Sequence, residues 1–232
     1  MADKRPFPGI PNPFNGLFFA VEGMDGNGKS EQKKRIVAWL RQPKTGGRQP
    51  VVVETKEPGK ERRVGAAIYR DLEGKGDNFH SDNPPAFQRW YAFDSKENVR
   101  ENVLRHLEIG NIVIADRYRA SLVYGAQRIE EIADLVLMNQ MVLGADFIWP
   151  NAVLIFDVST ETAIERLKRK GRILDGHEQI TVLERVRRNY IHFAETYANC
   201  HLIDGERPPE KILEEVKGII WPVVEKKYIT VY

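Results

Sequence analysis

Five short runs rich in β-branched or aromatic residues punctuate a mostly polar chain: residues 17–21 (LFFAV), 51–54 (VVVE), 112–115 (IVIA), 153–158 (VLIFDV) and 201–203 (HLI). Runs of this length between turn-forming residues predict strands. Between them lie longer stretches with helical spacing of apolar positions, at 29–40, 63–72, 85–108, 129–143, 160–170 and 179–196, and a last one at 208–224. Strands that alternate with helices require right-handed crossovers. The pattern therefore predicts an α/β, three-layer fold, a five-stranded parallel sheet with helices on both faces. Ligands in such sheets sit at the carboxyl ends of the strands, so function is expected in the residues that follow each strand. No internal repeat or low-complexity tract interrupts the order, and 42–50 reads as a helix-to-strand loop. Residues 1–232 are expected to form one domain, with 1–16, rich in Pro and Gly, as an extended N-terminal arm.

Composition narrows the function classes. Hydrophobic residues make up 42% of the chain, enough for a substantial core. Lys and Arg number 35 against 33 Asp and Glu, so the net charge of +2 gives no global reason to expect nucleic acid or membrane as a partner. An anionic ligand must instead be held by local groups. Cys200 is the sole cysteine, which excludes an internal disulfide and a cysteine metal cluster and fits a reducing cytoplasm. The first residues lack the apolar segment of a secretory signal, and every apolar run falls far short of the ~20 residues needed to span a bilayer. A soluble, cytoplasmic protein is the expectation.

The candidate chemistry starts directly after the first predicted strand. Gly23-Met24-Asp25-Gly26-Asn27-Gly28-Lys29-Ser30 fits G-x-x-x-x-G-K-[ST] and opens a predicted helix, the context in which that motif cradles phosphate. The glycines let the backbone curl so that N–H groups point inward, and the helix N-terminus adds positive potential. Lys29 would reach the β- and γ-phosphates of a nucleotide, and the Ser30 hydroxyl would join a Mg²⁺ shell. The plainer alternative is a glycine turn capping an ordinary helix. After the third strand, Asp116 could hold Mg²⁺ or its waters, and Arg117 could clamp a phosphate with its fork; a surface ion pair is the alternative. After the second, Lys56 could bind an acceptor phosphate, while Glu57-Pro58 fixes a rigid turn, or the segment could be a solvated turn. Residues 165–172 (ERLKRKGR) place five cations in eight positions, which suits a lid closing over a triphosphate and also suits the negative end of a helix capped by Gly171. Among the aromatics of 87–94, Trp90 and Phe93 are expected in the core, and one ring could stack on a base. The five histidines show no ligand-type pairing, and the charges of 210–217 read as a solvated helix face.

Several of these motifs, in order along nearly the whole chain, resemble thymidylate kinase. The segment 20–32 (AVEGMDGNGKSEQ) is similar to the family's F-E-G-x-D-G-x-G-K-S-T-Q, Glu57-Pro58-Gly59 to its R-E-P-G turn, and Asp116-Arg117-Tyr118 to its D-R-Y motif. Asp157-Val158, Arg185-Val186-Arg187 with Tyr190, and Ile203-Asp204-Gly205 match the later L-D-V, V-R-x-x-Y and I-D-A patterns. The resemblance implies that Gly23 to Glu31 bind the donor ATP, with Ser30 and Asp116 on Mg²⁺. It implies that Asp25 contacts the sugar 3′-hydroxyl of the acceptor, Arg117 its phosphate, Tyr91 the thymine ring, and that Tyr124 excludes a ribose 2′-hydroxyl. Gly26 stands where one class of the family carries an arginine. Arg169 and Arg172, in a lid spanning about 166–180, therefore resemble the class whose catalytic arginines come from the lid. The resemblance further implies a homodimer through the long helices. Departures fall around the acceptor: Lys56 replaces the turn arginine, Ser95 stands where F-A-x-D-R has an arginine that bonds thymine, and the stretch after Tyr118 is one residue short. The expected activity is phosphorylation of dTMP to dTDP by Mg²⁺·ATP. The alternatives are a kinase for another nucleoside monophosphate or a deoxynucleoside, and a non-catalytic ATP-binding module.

Overall fold

The computed structural model describes residues 4–7, 9–43, 49–171 and 176–228, with the backbone alone for 176–179. Five parallel strands form the main sheet: β1 (Leu17–Glu22), β2 (Val52–Lys56), β3 (Ile112–Asp116), β4 (Ala152–Asp157) and β5 (Cys200–Asp204), in the spatial order β2-β3-β1-β4-β5. β1 lies in the centre because its sequence, LFFAVE, carries apolar side chains on both faces, and all six residues are buried. Phe18 and Ala20 face one layer and Phe19 and Val21 the other, as the two-residue period of a strand demands. Each fully buried phenylalanine contributes about 1.5–3 kcal/mol of transfer free energy.

Seven helices of ten or more residues lie among the described residues: α1 (Lys29–Leu40), α2 (Arg63–Leu72), α3 (Pro84–Asn98), α4 (Glu131–Leu143), α5 (Thr160–Arg169), α6 (Gly176–Thr196) and α7 (Pro209–Tyr228). On one face Ile36, Val37 and Leu40 of α1 join Ile212, Val216 and Ile220 of α7 against Phe19 and Val21. The opposite face is covered by α3, α4 and α6, whose Val186, Tyr190 and Phe193 pack in the cluster that contains Phe18. α3 begins at Pro84, whose missing N–H suits a first helical position, with the Asn83 side chain accepting from Ala86 N at 3.1 Å. It continues through a π-helical turn, Val99–Val103, into Leu104–Glu108, so the predicted helix at 85–108 is a single path with one widened turn.

Some expectations shift. β2 runs on to Lys56, which pairs in register with Asp116, so Lys56 is the last residue of the strand instead of the first beyond it. Phe93 is not core: it is 52% exposed, because the inward face of α3 is set by Phe87, Gln88, Ala92 and Ser95, and Phe93 falls on the opposite side. Trp90 is half-buried against Phe79 and Phe87. In the arm, Ile10–Pro11 pairs in parallel with Ile148–Trp149, and Phe7 stacks on Trp149 at 3.4 Å. No helix among the described residues is long and apolar enough to cross a membrane.

Candidate active site

The loop between β1 and α1 is shaped by three glycines at positive φ, Gly23 (126°), Gly26 (84°) and Gly28 (87°), values that a side chain would strain. At Gly26 space matters as well, because a Cβ there would overlap the Ala163 carbonyl of α5. Asn27 works by its side chain, which donates to the Phe156 carbonyl at 2.8 Å and the Glu22 carbonyl at 3.3 Å and accepts from Lys29 N at 3.0 Å, fastening the loop to β4. Met24 is buried beneath it. Lys29 is buried, 3.6 Å from Asp25, and desolvation together with the nearby Arg117 pushes its ammonium down to about 8. Ser30 is exposed on the first turn of α1, and Asp25 through Ser30 line a cavity that Leu167 and Lys170 close from α5.

Two cations of the basic segment face this loop, and they are not the ones singled out from the sequence. Arg166 donates to the Asn27 carbonyl at 3.3 Å and the Gly205 carbonyl at 3.2 Å, and Lys170 lines the cavity. Arg169 instead turns to the exposed Glu165 one helical turn back, while Arg172 lies outside the described residues. Glu31 is likewise directed elsewhere: its carboxylate pairs with Arg35 at 3.1 Å and its N–H bonds the Gly28 carbonyl at 3.0 Å.

A second cavity, of about 680 Å³, opens on the other side of Asp25, a size typical of small-molecule sites. It gathers all five residues expected to hold the acceptor: Asp25, Lys56, Tyr91, Arg117 and Tyr124. Arg117 is its centre. Held at φ 68°, it sends one nitrogen to Asp25 Oδ1 (2.6 Å) and Tyr124 Oη (3.2 Å) and another to the Gly23 carbonyl (3.2 Å), with its guanidinium 5.0 Å from the Tyr124 ring centre. Such a strained non-glycine residue persists only where its surroundings hold it in place. The short 3₁₀ turn Arg119–Tyr124 carries Ser121 and Tyr124 to the same side, three residues apart. Behind them, fully buried Glu22 accepts from Tyr118 N (2.7 Å), Ser121 Oγ (2.7 Å) and Tyr190 Oη (2.9 Å); burial raises its pKa against the pull of those bonds. Asp116 ends β3 beside Lys33, whose Nζ lies 3.8 Å from it and 3.3 Å from Glu54.

Under the second cavity lies a buried polar floor that sequence reasoning missed. Arg62 forks onto Asp94 at 2.8 and 2.9 Å and donates to the Lys56 carbonyl at 2.7 Å. Arg119 pairs with Glu57 and donates to Asn139 at 2.7 Å. Ser95 donates to Glu57 Oε1 at 2.9 Å and is fully buried, so it belongs to this floor. The partners lie far apart in sequence, and no local pattern pairs them. His80, given no role from the sequence, pairs with Asp71 at 2.7 Å, and neither residue lines either cavity.

Two cavities that meet at one carboxylate, one lined by a glycine-rich phosphate loop and the other by an arginine, define a P-loop phosphotransferase acting on a small acceptor. The thymidylate kinase family model matches residues 21–216, and the chain belongs to that family. It is 31% identical over 209 residues to a thymidylate kinase of Coprothermobacter proteolyticus, covering 87% of this chain and 99% of the relative. It is also 30% identical over 206 residues to the thymidylate kinase of Thermosipho africanus, covering 88% and 97%. That of Thermosynechococcus vestitus is 30% identical over 223 residues, covering 89% and 87%.

Proposed function

We propose that the protein transfers the γ-phosphoryl group of ATP to dTMP, giving dTDP and ADP. The observation that carries this reading is that Asp25 lines both cavities and is bonded at 2.6 Å to Arg117, so a donor on the loop and a phosphate held by Arg117 meet at one point. A phosphate oxygen of dTMP forms the new P–O bond as the bond to the β–γ bridging oxygen of ATP breaks. The protein's part is positioning and charge neutralisation. Lys29 and the N–H groups of the loop from Gly23 to Ser30 hold the donor phosphates; Arg117 and Lys56 hold the acceptor phosphate; Asp25 takes the sugar 3′-hydroxyl; Tyr91 covers the base. Tyr124, bonded to Arg117 on the cavity wall, excludes a ribose 2′-hydroxyl in this reading.

Asp116 and Ser30 are a fitting donor set for Mg²⁺, which takes one or two protein oxygens and completes its shell with phosphate and water. Among the described residues no three His, Cys, Asp or Glu side chains cluster to hold a metal by themselves, and a phosphate-bridging ion needs no such cage. When bound, the ion would neutralise charge on the β- and γ-phosphates. Arg166 of α5 and Lys170 just beyond it supply cations beside the donor phosphates. Residues 1–232 act as one domain. Phe93, Leu137 and Met141, exposed on neighbouring helices α3 and α4, support a homodimer, and buried Cys200 suits a reducing cytoplasm. The test is ³¹P NMR of the protein with Mg²⁺, ATP and dTMP. Resonances of dTDP appearing as those of ATP decline are the expected result; ADP with inorganic phosphate and no dTDP defeats the reading.

A further inference from the structure

Gln88 has no role in the reaction as described, yet its position is unusual for an amide. It lies three residues before Tyr91 and seven before Ser95 on α3, so the three share the helix face turned toward the acceptor cavity. Gln88 lines that cavity, is only 5% exposed, and its amide makes no hydrogen bond to any described residue. The amide is not sealed away: its open side is the cavity itself, where a ligand can take the place of water as its partner. Its neighbour Gly125 makes room for it. Gly125 has ordinary right-handed backbone angles, φ −77° and ψ −20°, so conformational freedom does not account for the glycine. A Cβ there would overlap Gln88 Cγ. At the far end of the same helix face, Ser95 is turned down to Glu57 and offers the cavity nothing.

We propose that Gln88 reads the hydrogen-bonding edge of the pyrimidine base, its carbonyl accepting from N3–H and its NH₂ donating to O4, while Tyr91 covers the ring face. The assignment rests on dTMP being the acceptor. One donor and one acceptor on a planar amide match the adjacent N3–H and O4 of thymine, and pairing with them satisfies the group that the protein leaves open. Turned end over end, the same amide would pair with N3 and the amino group of cytosine. Gln88 therefore grips the base edge and does not itself reject dCMP.

The test compares dTMP with its N3-methyl analogue, which lacks the donor, in the unmodified protein and in Gln88→Met, a substitution of similar shape without the amide. The unmodified protein should prefer dTMP by roughly tenfold or more in kcat/KM, the loss expected for an amide left unpaired. Gln88→Met should raise KM for dTMP by a similar factor, leave KM for ATP unchanged, and abolish most of the preference. Gly125→Ala, allowed by its backbone angles, should weaken the same preference by displacing Gln88. An unmodified protein that turns over dTMP and its N3-methyl analogue equally, or a Gln88→Met variant that keeps the full preference, overturns the assignment while leaving the acceptor in place. No turnover of dTMP by the unmodified protein overturns the acceptor, and the assignment with it.

Discussion

Lys29 shows how burial prepares a single residue for its ligand. Its ammonium is desolvated and lies near Arg117, and its pKa falls from the ordinary 10.5 to about 8, so near pH 8 the free protein holds it as a mixture of charged and neutral forms. Arriving phosphates favour the charged form, and ATP binding at pH 8 should therefore take up about half a proton. Below the lowered pKa the lysine is already charged, so the uptake should fade by pH 6.5. Calorimetry in buffers of different ionisation enthalpy measures it directly, and a binding heat independent of buffer at pH 8 would refute this account of Lys29. Stability rests on other residues. Glu57 and Arg119 form a buried pair, and truncating one member leaves the other charge uncompensated. Glu57→Ala should cost about 3–5 kcal/mol in chemical denaturation. A change below about 0.5 kcal/mol, the size of an ordinary surface substitution, would show the pair to be dispensable.

At the scale of elements, what could be read from the sequence depended on how local the cause was. The five strands and the phosphate loop were legible because LFFAV and IVIA are buried by their own composition and because the glycine spacing 23, 26, 28 encodes a local backbone path. Of the residues expected to hold the acceptor, Lys56 and Arg117 were read from their places at strand ends and Asp25, Tyr91 and Tyr124 through motif resemblance, and the fold brings all five to one cavity. What stayed hidden was phase and distance. Arg166 and Arg169 are equally basic in sequence, and only the packing of α5 shows that Arg166 meets the loop. The pairs Arg62–Asp94 and Glu57–Arg119 join segments 32 and 62 residues apart, beyond any local pattern. The approach of α5 to the loop also explains Gly26. Gly26→Ala must both accept a positive φ, a strain of roughly 1–2 kcal/mol, and push α5 away from the Ala163 carbonyl. We expect KM for ATP to rise by roughly tenfold with KM for dTMP little changed. Unchanged ATP kinetics would mean that α5 does not need to sit this close.

For the whole molecule, the sheet order β2-β3-β1-β4-β5 puts the loop after β1 beside the end of β3 that carries Asp116, with Lys56 on β2 one strand further on, and so sets the two cavities side by side. The exposed faces of α3 and α4 present Phe93 at 52%, Leu137 at 54% and Met141 at 78% exposure, a surface suited to a second copy. Light scattering should give twice the chain mass, and Phe93→Glu combined with Met141→Glu should give a monomer; an unmodified protein that is monomeric would contradict the dimer. The central claim concerns the acceptor, and it is most directly tested by kcat/KM with ATP across dTMP, dUMP, dCMP, dGMP and thymidine. Membership of the thymidylate kinase family together with the proposed acceptor site predicts the highest value for dTMP and no turnover of thymidine, which lacks the phosphate that Arg117 is proposed to hold. A higher value for another monophosphate, or efficient phosphorylation of thymidine, would contradict it.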